Sequence, residues 1–128
     1  MNAHTRTQQS IPLFTKYGGL RALRNVIFDF YDRVLDSDII GPFFDDVDMA
    51  KLVDHQTKFF TSLLGGPADF GDRRLAMAHE HLDVSHAHFD EITSILTATL
   101  WDAGFTRDDL DTVIAAVEAR RSLIVKTR

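Results

Sequence analysis

Apolar positions recur at helical spacing along most of the chain, and no two segments make a convincing strand pair. Leu23, Ile27, Phe30, Tyr31 and Val34 share one face of a helix that starts after Gly18-Gly19. Asp36 to Pro42 reads as a turn region, broken by Gly41-Pro42 and followed at once by Phe43-Phe44. Asp48 is a good N-cap for a helix from Met49 to about Leu64, which Gly65-Gly66-Pro67 ends. After a loop from Ala68 to Asp72, a short helix from about Arg73 to His81 puts Leu75, Ala78, His79 and Leu82 on one face. Ser85 can cap the next helix, whose face reads Phe89, Ile92, Leu96 and Leu100 until Gly104 stops it. Thr106 to Asp109 resembles a capping box, with Asp in place of the usual Glu or Gln. The last helix carries Leu110, Val113, Ile114, Val117 and Ile124 inward. The pattern predicts an all-α chain of five or six helices with short connections. Residues 1–12 read as a flexible tail and 13–128 as one domain.

One stripe breaks the apolar rule. Leu52, Phe59, Phe60 and Leu63 recur on one helical face, and His55 and Gln56 fall in the middle of it. Burying a polar group without a partner costs about 1–3 kcal/mol. Two such residues in one stripe therefore point to something polar, or a metal, opposite them.

Composition narrows the chemistry. A chain of 128 residues with ten Phe can bury a real core as a single domain. Its net charge of −5, with both signs mixed along the sequence, argues against a nucleic-acid or anionic-membrane surface. There is no membrane-spanning apolar run and no signal-peptide pattern, so a cytoplasmic location is the default expectation. With no Cys, the chain offers no disulfide, zinc–thiolate site, iron–sulfur ligation, cysteine nucleophile or thioether-attached haem. Any metal must be held by nitrogen or oxygen.

The six His sort by face. His4 lies in the tail, His79 points inward with Leu75, Ala78 and Leu82, and His81 points away. His86 and His88 flank a helix start. The run from His79 to His88 matches no HExxH or related zinc spacing, and its faces differ. An inward His is ordinarily a hydrogen-bonded core residue. Here the stripes also bring forward Tyr31, His55 and Gln56, and Phe44 adds an aromatic at a loop. An inward His on a short helix can ligate an iron axially. A Tyr hydroxyl and a Gln amide can donate to whatever binds the other side. Many Phe would wall off a flat apolar cofactor. These are the components of a haem pocket.

The same residues resemble the truncated haemoglobin family, specifically its first, N-type group, over about Phe14 to Val125. The resemblance rests on Tyr17-Gly18-Gly19, on Asp29 to Leu35, and on Pro42-Phe43-Phe44 with Val47-Asp48-Met49. It continues through Gln56 to Phe60, Leu64 to Pro67, and Ala78-His79 with Phe89 ten residues after the His. The order and spacing of these motifs make the match specific. It implies a two-over-two helical sandwich around non-covalent haem b. It implies that His79 is the proximal iron ligand, that Tyr31 and Gln56 hydrogen-bond bound dioxygen, and that Phe44 packs on the porphyrin. Leu52, Phe60, Leu75, Val84, Phe89 and Val117 fall where the family lines the haem, with Phe60 a candidate gate. Ile92 stands where other groups place Trp. Trp101 is expected in the core or at an interface.

Two positions depart from the pattern. Phe70-Gly71-Asp72-Arg73 shifts the family's glycine by one place, which leaves Arg73 either a propionate contact or a solvated charge. His55 stands where many relatives carry Lys. It is either a second iron ligand, giving a six-coordinate bis-histidine haem with His79, or a propionate partner at the pocket mouth. The expected function is binding of O2, NO and CO, with nitric oxide conversion to nitrate through an external reductase as the family-implied activity. A haem-based sensor acting through a partner and a haem-free helical module are the alternatives. No His lies in the last helix to attach the haem covalently.

Overall fold

The computed structural model describes residues 11–80 and 82–126. The predicted tail up to residue 10, with His4 in it, and His81 lie outside the described residues. The rest is helical, with no strand among the described residues. In chain order it forms α1 (Leu13–Lys16), α2 (Gly19–Leu35), a 3-10 turn (Gly41–Phe44), α3 (Met49–Leu63), α4 (Asp72–His79), α5 (His86–Asp102), α6 (Arg107–Glu118) and α7 (Arg121–Ile124). α2 packs on α3, α5 on α6, and α2 crosses to α5, so two helix pairs sandwich the interior. α4 is only eight residues long and rests on α7.

The helical faces follow the apolar spacing. Leu23, Ile27, Phe30, Tyr31 and Val34 are the buried residues of α2. Asp48 caps α3 by accepting from the Lys51 backbone N–H at 3.2 Å. Ser85 and His88 form a reciprocal capping box at the start of α5. α3 buries more than its apolar stripe. Val53, Thr57 and Thr61 are buried as well, and the two threonine hydroxyls donate to the Val53 and Thr57 carbonyls at 2.7 Å each. Bonding back to residue i−4 satisfies a buried hydroxyl without an outside partner. That is why a polar-looking face can sit in the core.

The structure corrects three expectations. Trp101 is 56% exposed, which rules out the core, one of its two expected places. The last helix is two, because the chain breaks at Ala119-Arg120 between α6 and α7. The Thr106–Asp109 box closes on one side only: Thr106 Oγ accepts from the Asp109 N–H at 3.2 Å, but the Asp109 side chain turns to α1.

Tyr17 takes the missing half of that box. Its hydroxyl accepts from the Thr106 backbone N–H at 3.1 Å and donates to Asp109 Oδ2 at 2.5 Å. Its ring stacks on Phe105 with centroids 3.7 Å apart. Lys16 reaches the same carboxylate at 2.7 Å. The N-terminal turn is thereby fastened to the start of α6. It is also seated on the exit of α3. The Phe14 N–H donates to the Leu64 carbonyl at 3.1 Å, and a β-carbon at Gly66 would lie 2.6 Å from the Phe14 ring. Glycine at 66 is therefore a packing requirement.

Tyr17→Phe keeps the ring stack and loses both hydroxyl bonds. It should lower unfolding free energy by about 1–2 kcal/mol in urea titration. The hydrogen bonds from Lys16, then from Tyr17, hold the Asp109 carboxyl below the usual range. Such a group stabilises the fold above its unfolded-state pKa and loses that contribution as pH falls through the folded value. Asp109→Asn should therefore flatten the acid side of the stability profile.

Candidate functional site

A cavity of about 380 Å³ opens between the helix pairs, a size suited to a small molecule or cofactor. Seven of the ten Phe line it: Phe30, Phe43, Phe44, Phe59, Phe60, Phe70 and Phe89. Few polar side chains interrupt this wall, namely Tyr31, His55, Gln56, His79, His88 and Arg120. Such a lining suits a flat apolar body with a small number of fixed polar contacts. Among the described residues, no three His or carboxylate side chains converge as a protein-only metal site.

His79 ends α4 and is half-buried. Its Nδ1 lies 2.8 Å from the Leu75 carbonyl oxygen. A carbonyl only accepts, so Nδ1 must carry the proton. In the neutral ring Nε2 then keeps its lone pair, the form that binds a metal axially. Leu75, one turn back, is 3% exposed and anchors α4 in the wall.

Tyr31 enters from α2, 8% exposed, with its ring edge-on to Phe44 at 5.9 Å. Burial pushes its hydroxyl well above the usual phenol range, so the proton stays on. Among the described residues the hydroxyl has no hydrogen-bond partner, which leaves it a donor into the cavity. Gln56 lines the cavity from α3 and is half-buried. His55 also lines it, but its side chain is exposed, at the mouth and not in mid-stripe. One residue step round the helix, about 100°, explains the difference: Gln56 shares its face with Phe59 and Phe60, while His55 sits at the edge of that face.

Phe44, Leu52, Phe60, Leu75, Val84, Phe89 and Val117 all line the cavity. Arg73 does not. It is exposed and outside the wall. Asp72 instead turns to Arg120, accepting from its Nε at 3.1 Å. Arg120 donates Nη1 to the Ala116 carbonyl at 2.7 Å and lies 6.0 Å from the Phe59 ring centroid. The cavity cation therefore comes from the α6–α7 break, a break the helical pattern did not signal. The shifted glycine has a clear outcome. Gly71 becomes the N-cap of α4, and Phe70 before it packs into the wall against Phe59 at 5.4 Å. His88 was also missed as a wall residue, because its ring is committed to a helix cap that sequence spacing reads as purely local.

Comparison with known proteins places this arrangement. Residues 12–125 match the family model of the bacterial-like globins. The chain is 40% identical over 109 residues to a group 1 truncated haemoglobin of a Synechocystis species, covering 82% of this chain and 87% of that one. The chain belongs to the group 1 truncated haemoglobins. Identity to the group 1 truncated haemoglobin of Tetrahymena pyriformis is 32% over 85% of this chain and 90% of that one. The structure of that protein in its Fe(III) form superposes with a TM-score of 0.84 at 30% identity, over 91% of this chain and all of the other. The 2/2 haemoglobin of a Synechococcus species, solved with covalently attached haem, gives a TM-score of 0.83 at 31% identity, over 90% and 98% of the two chains.

The helical sandwich is thus a haem-binding globin fold, and the cavity residues fit that group. A tautomer-fixed His, an unpartnered buried phenol and an aromatic wall are what axial ligation, distal donation and porphyrin packing require. His79→Ala should abolish stable haem uptake by the apoprotein, read as loss of the sharp Soret band on titration. Arg73→Ala should bind haem like the parent.

Proposed function

We propose that this globin binds haem b non-covalently through His79 and holds diatomic gases, dioxygen first, against donors from Tyr31 and Gln56. The observation that carries the reading is one apolar cavity lined by a tautomer-fixed imidazole and a buried phenol. His79 offers a lone pair because Nδ1 is bound to Leu75. Tyr31 offers a proton because a phenol is neutral at physiological pH, and burial raises its pKa further. When bound, haem supplies the iron on which the gas is held. The chain's own residues then decide how long it stays.

Hydrogen bonds to a polarised ligand slow its release. Two donors of about 1 kcal/mol each slow it roughly thirtyfold if they add. The Phe wall excludes water that would compete for those donors. Slow release suits chemistry better than transport. Reaction of the held dioxygen with nitric oxide yields nitrate, one electron per cycle coming from an external reductase. Carbon monoxide and nitric oxide would occupy the same site. No helix among the described residues is long and apolar enough to cross a membrane, which is compatible with a cytoplasmic protein. The haem-free alternative gains no support from a cavity that retains all three polar residues.

His55 is the point of regulation in this reading. Its exposure supports a resting place at the mouth beside a haem propionate. Iron ligation would require α3 to move inward and would set up competition with the gas. The ferric visible spectrum separates the two. A water-bound, high-spin form at neutral pH is expected. A low-spin spectrum lost in His55→Ala would instead make His55 the sixth ligand.

Tyr31→Phe should speed oxygen dissociation about five- to tenfold in stopped-flow displacement. An unchanged rate would remove Tyr31 from the donor role. In the parent, that rate should stay level as pH rises toward about 10, the ordinary phenol value, because the buried hydroxyl titrates later. Rapid consumption of nitric oxide by the oxygenated protein, with nitrate formed, would support the enzymatic role over a sensor.

A further inference from the structure

Two histidines in the cavity wall are fixed in opposite tautomers by the backbone. His79 Nδ1 faces a carbonyl at 2.8 Å and must donate. His88 Nδ1 lies 3.0 Å from the Ser85 backbone N–H and must accept. The Ser85 hydroxyl accepts from the His88 N–H at 3.1 Å, closing the box and holding the ring. Phe43 contacts the same ring edge-on at 4.8 Å, a second restraint on its orientation. In the His88 ring the remaining proton is therefore on Nε2. That nitrogen has no free lone pair and cannot be an iron ligand. It is an N–H donor, and the ring lines the cavity while half-buried.

An amphipathic cofactor with two carboxylates needs donors where its polar edge leaves the apolar wall. The polar residues of this cavity are already divided. Tyr31 and Gln56 serve the gas, and His79 serves the metal. Arg120 is bound by Asp72 and the Ala116 carbonyl. Arg73 lies outside the wall. In the reading above the exposed His55 takes one carboxylate at the mouth, and His88 is the half-buried neutral donor left for the other. We propose that His88 Nε2–H donates a hydrogen bond to a haem propionate, so that the cap of α5 doubles as a cofactor clamp. The proposal rests on the haem reading above and assigns a carboxylate subsite within it.

The test compares haem with its dimethyl ester in the full-length protein. Dissociation is followed by transfer to an excess of an acceptor haem protein. His88→Ala should speed loss of haem about tenfold. With the dimethyl ester, whose masked carboxylates have lost their charge, parent and variant should differ by less than about twofold. Ser85→Ala removes the hydroxyl half of the cap and leaves the Ser85 N–H to hold the ring. It should change both cofactors' rates little, and circular dichroism checks that α5 persists. An equal acceleration with haem and ester in His88→Ala would overturn the clamp and leave only the cap. Haem retention unchanged by His88→Ala would overturn it too. A parent protein that gains no Soret band on haem addition would overturn the haem reading itself, a result distinct from either.

Discussion

The hydrogen bond from His79 Nδ1 to the Leu75 carbonyl is the constraint on which the cavity depends. It selects one ring nitrogen for the interior and fixes the ring plane relative to α4. A helix of eight residues has little stability of its own. It is held from outside, by burial of Leu75, by packing on α7 and by the Asp72–Arg120 ion pair at its first turn. The orientation of His79 is therefore set by tertiary contacts at both ends of a short element. The residue proposed as iron ligand stands on a part of the chain that local propensity alone would leave undefined.

The remainder of the interior is organised to keep polarity scarce. Ring-on-ring contacts run from Tyr31 to Phe44 and from Phe70 through Phe59 to Phe60. Buried threonines on α3 and α5 return their hydroxyls to their own helices. What polarity faces the cavity is then available for a bound group, since the framework consumes its own. In a wall this apolar, each donor acts in a low-dielectric setting where its contribution is larger than in water.

Much of this was legible in the sequence because periodicity reports faces directly. The five inward positions of α2 were all found, and so were the caps at Asp48 and Ser85. His79, Tyr31 and Gln56 came from faces and family motif together, and the cavity gathers all three. What escaped depended on partners far away in the chain. Arg73 and Arg120 are indistinguishable as charges in a string. The ion pair with Asp72, 48 residues distant from Arg120, decides which one turns inward. Asp109 looked like a local cap, but Tyr17 and Lys16 claim its side chain from the other end of the molecule. His55 and Gln56 are adjacent in sequence and both line the cavity, but one helical step leaves the first exposed and the second half-buried.

Seating Phe14 on Gly66 has a mechanical consequence for the distal helix. α3 is pinned at its C-terminal exit, where the Phe14 N–H meets the Leu64 carbonyl and the ring fills the space a side chain would take. Its other end is capped by Asp48 and tied to α2 by burial of Val53 and the Arg24–Asp54 ion pair. α3 is thus held along its length, by α2 at its start and by the N-terminal turn at its exit. The N-terminal turn, which lines no part of the cavity, helps fix the helix that carries Leu52, His55, Gln56 and Phe60 into the wall.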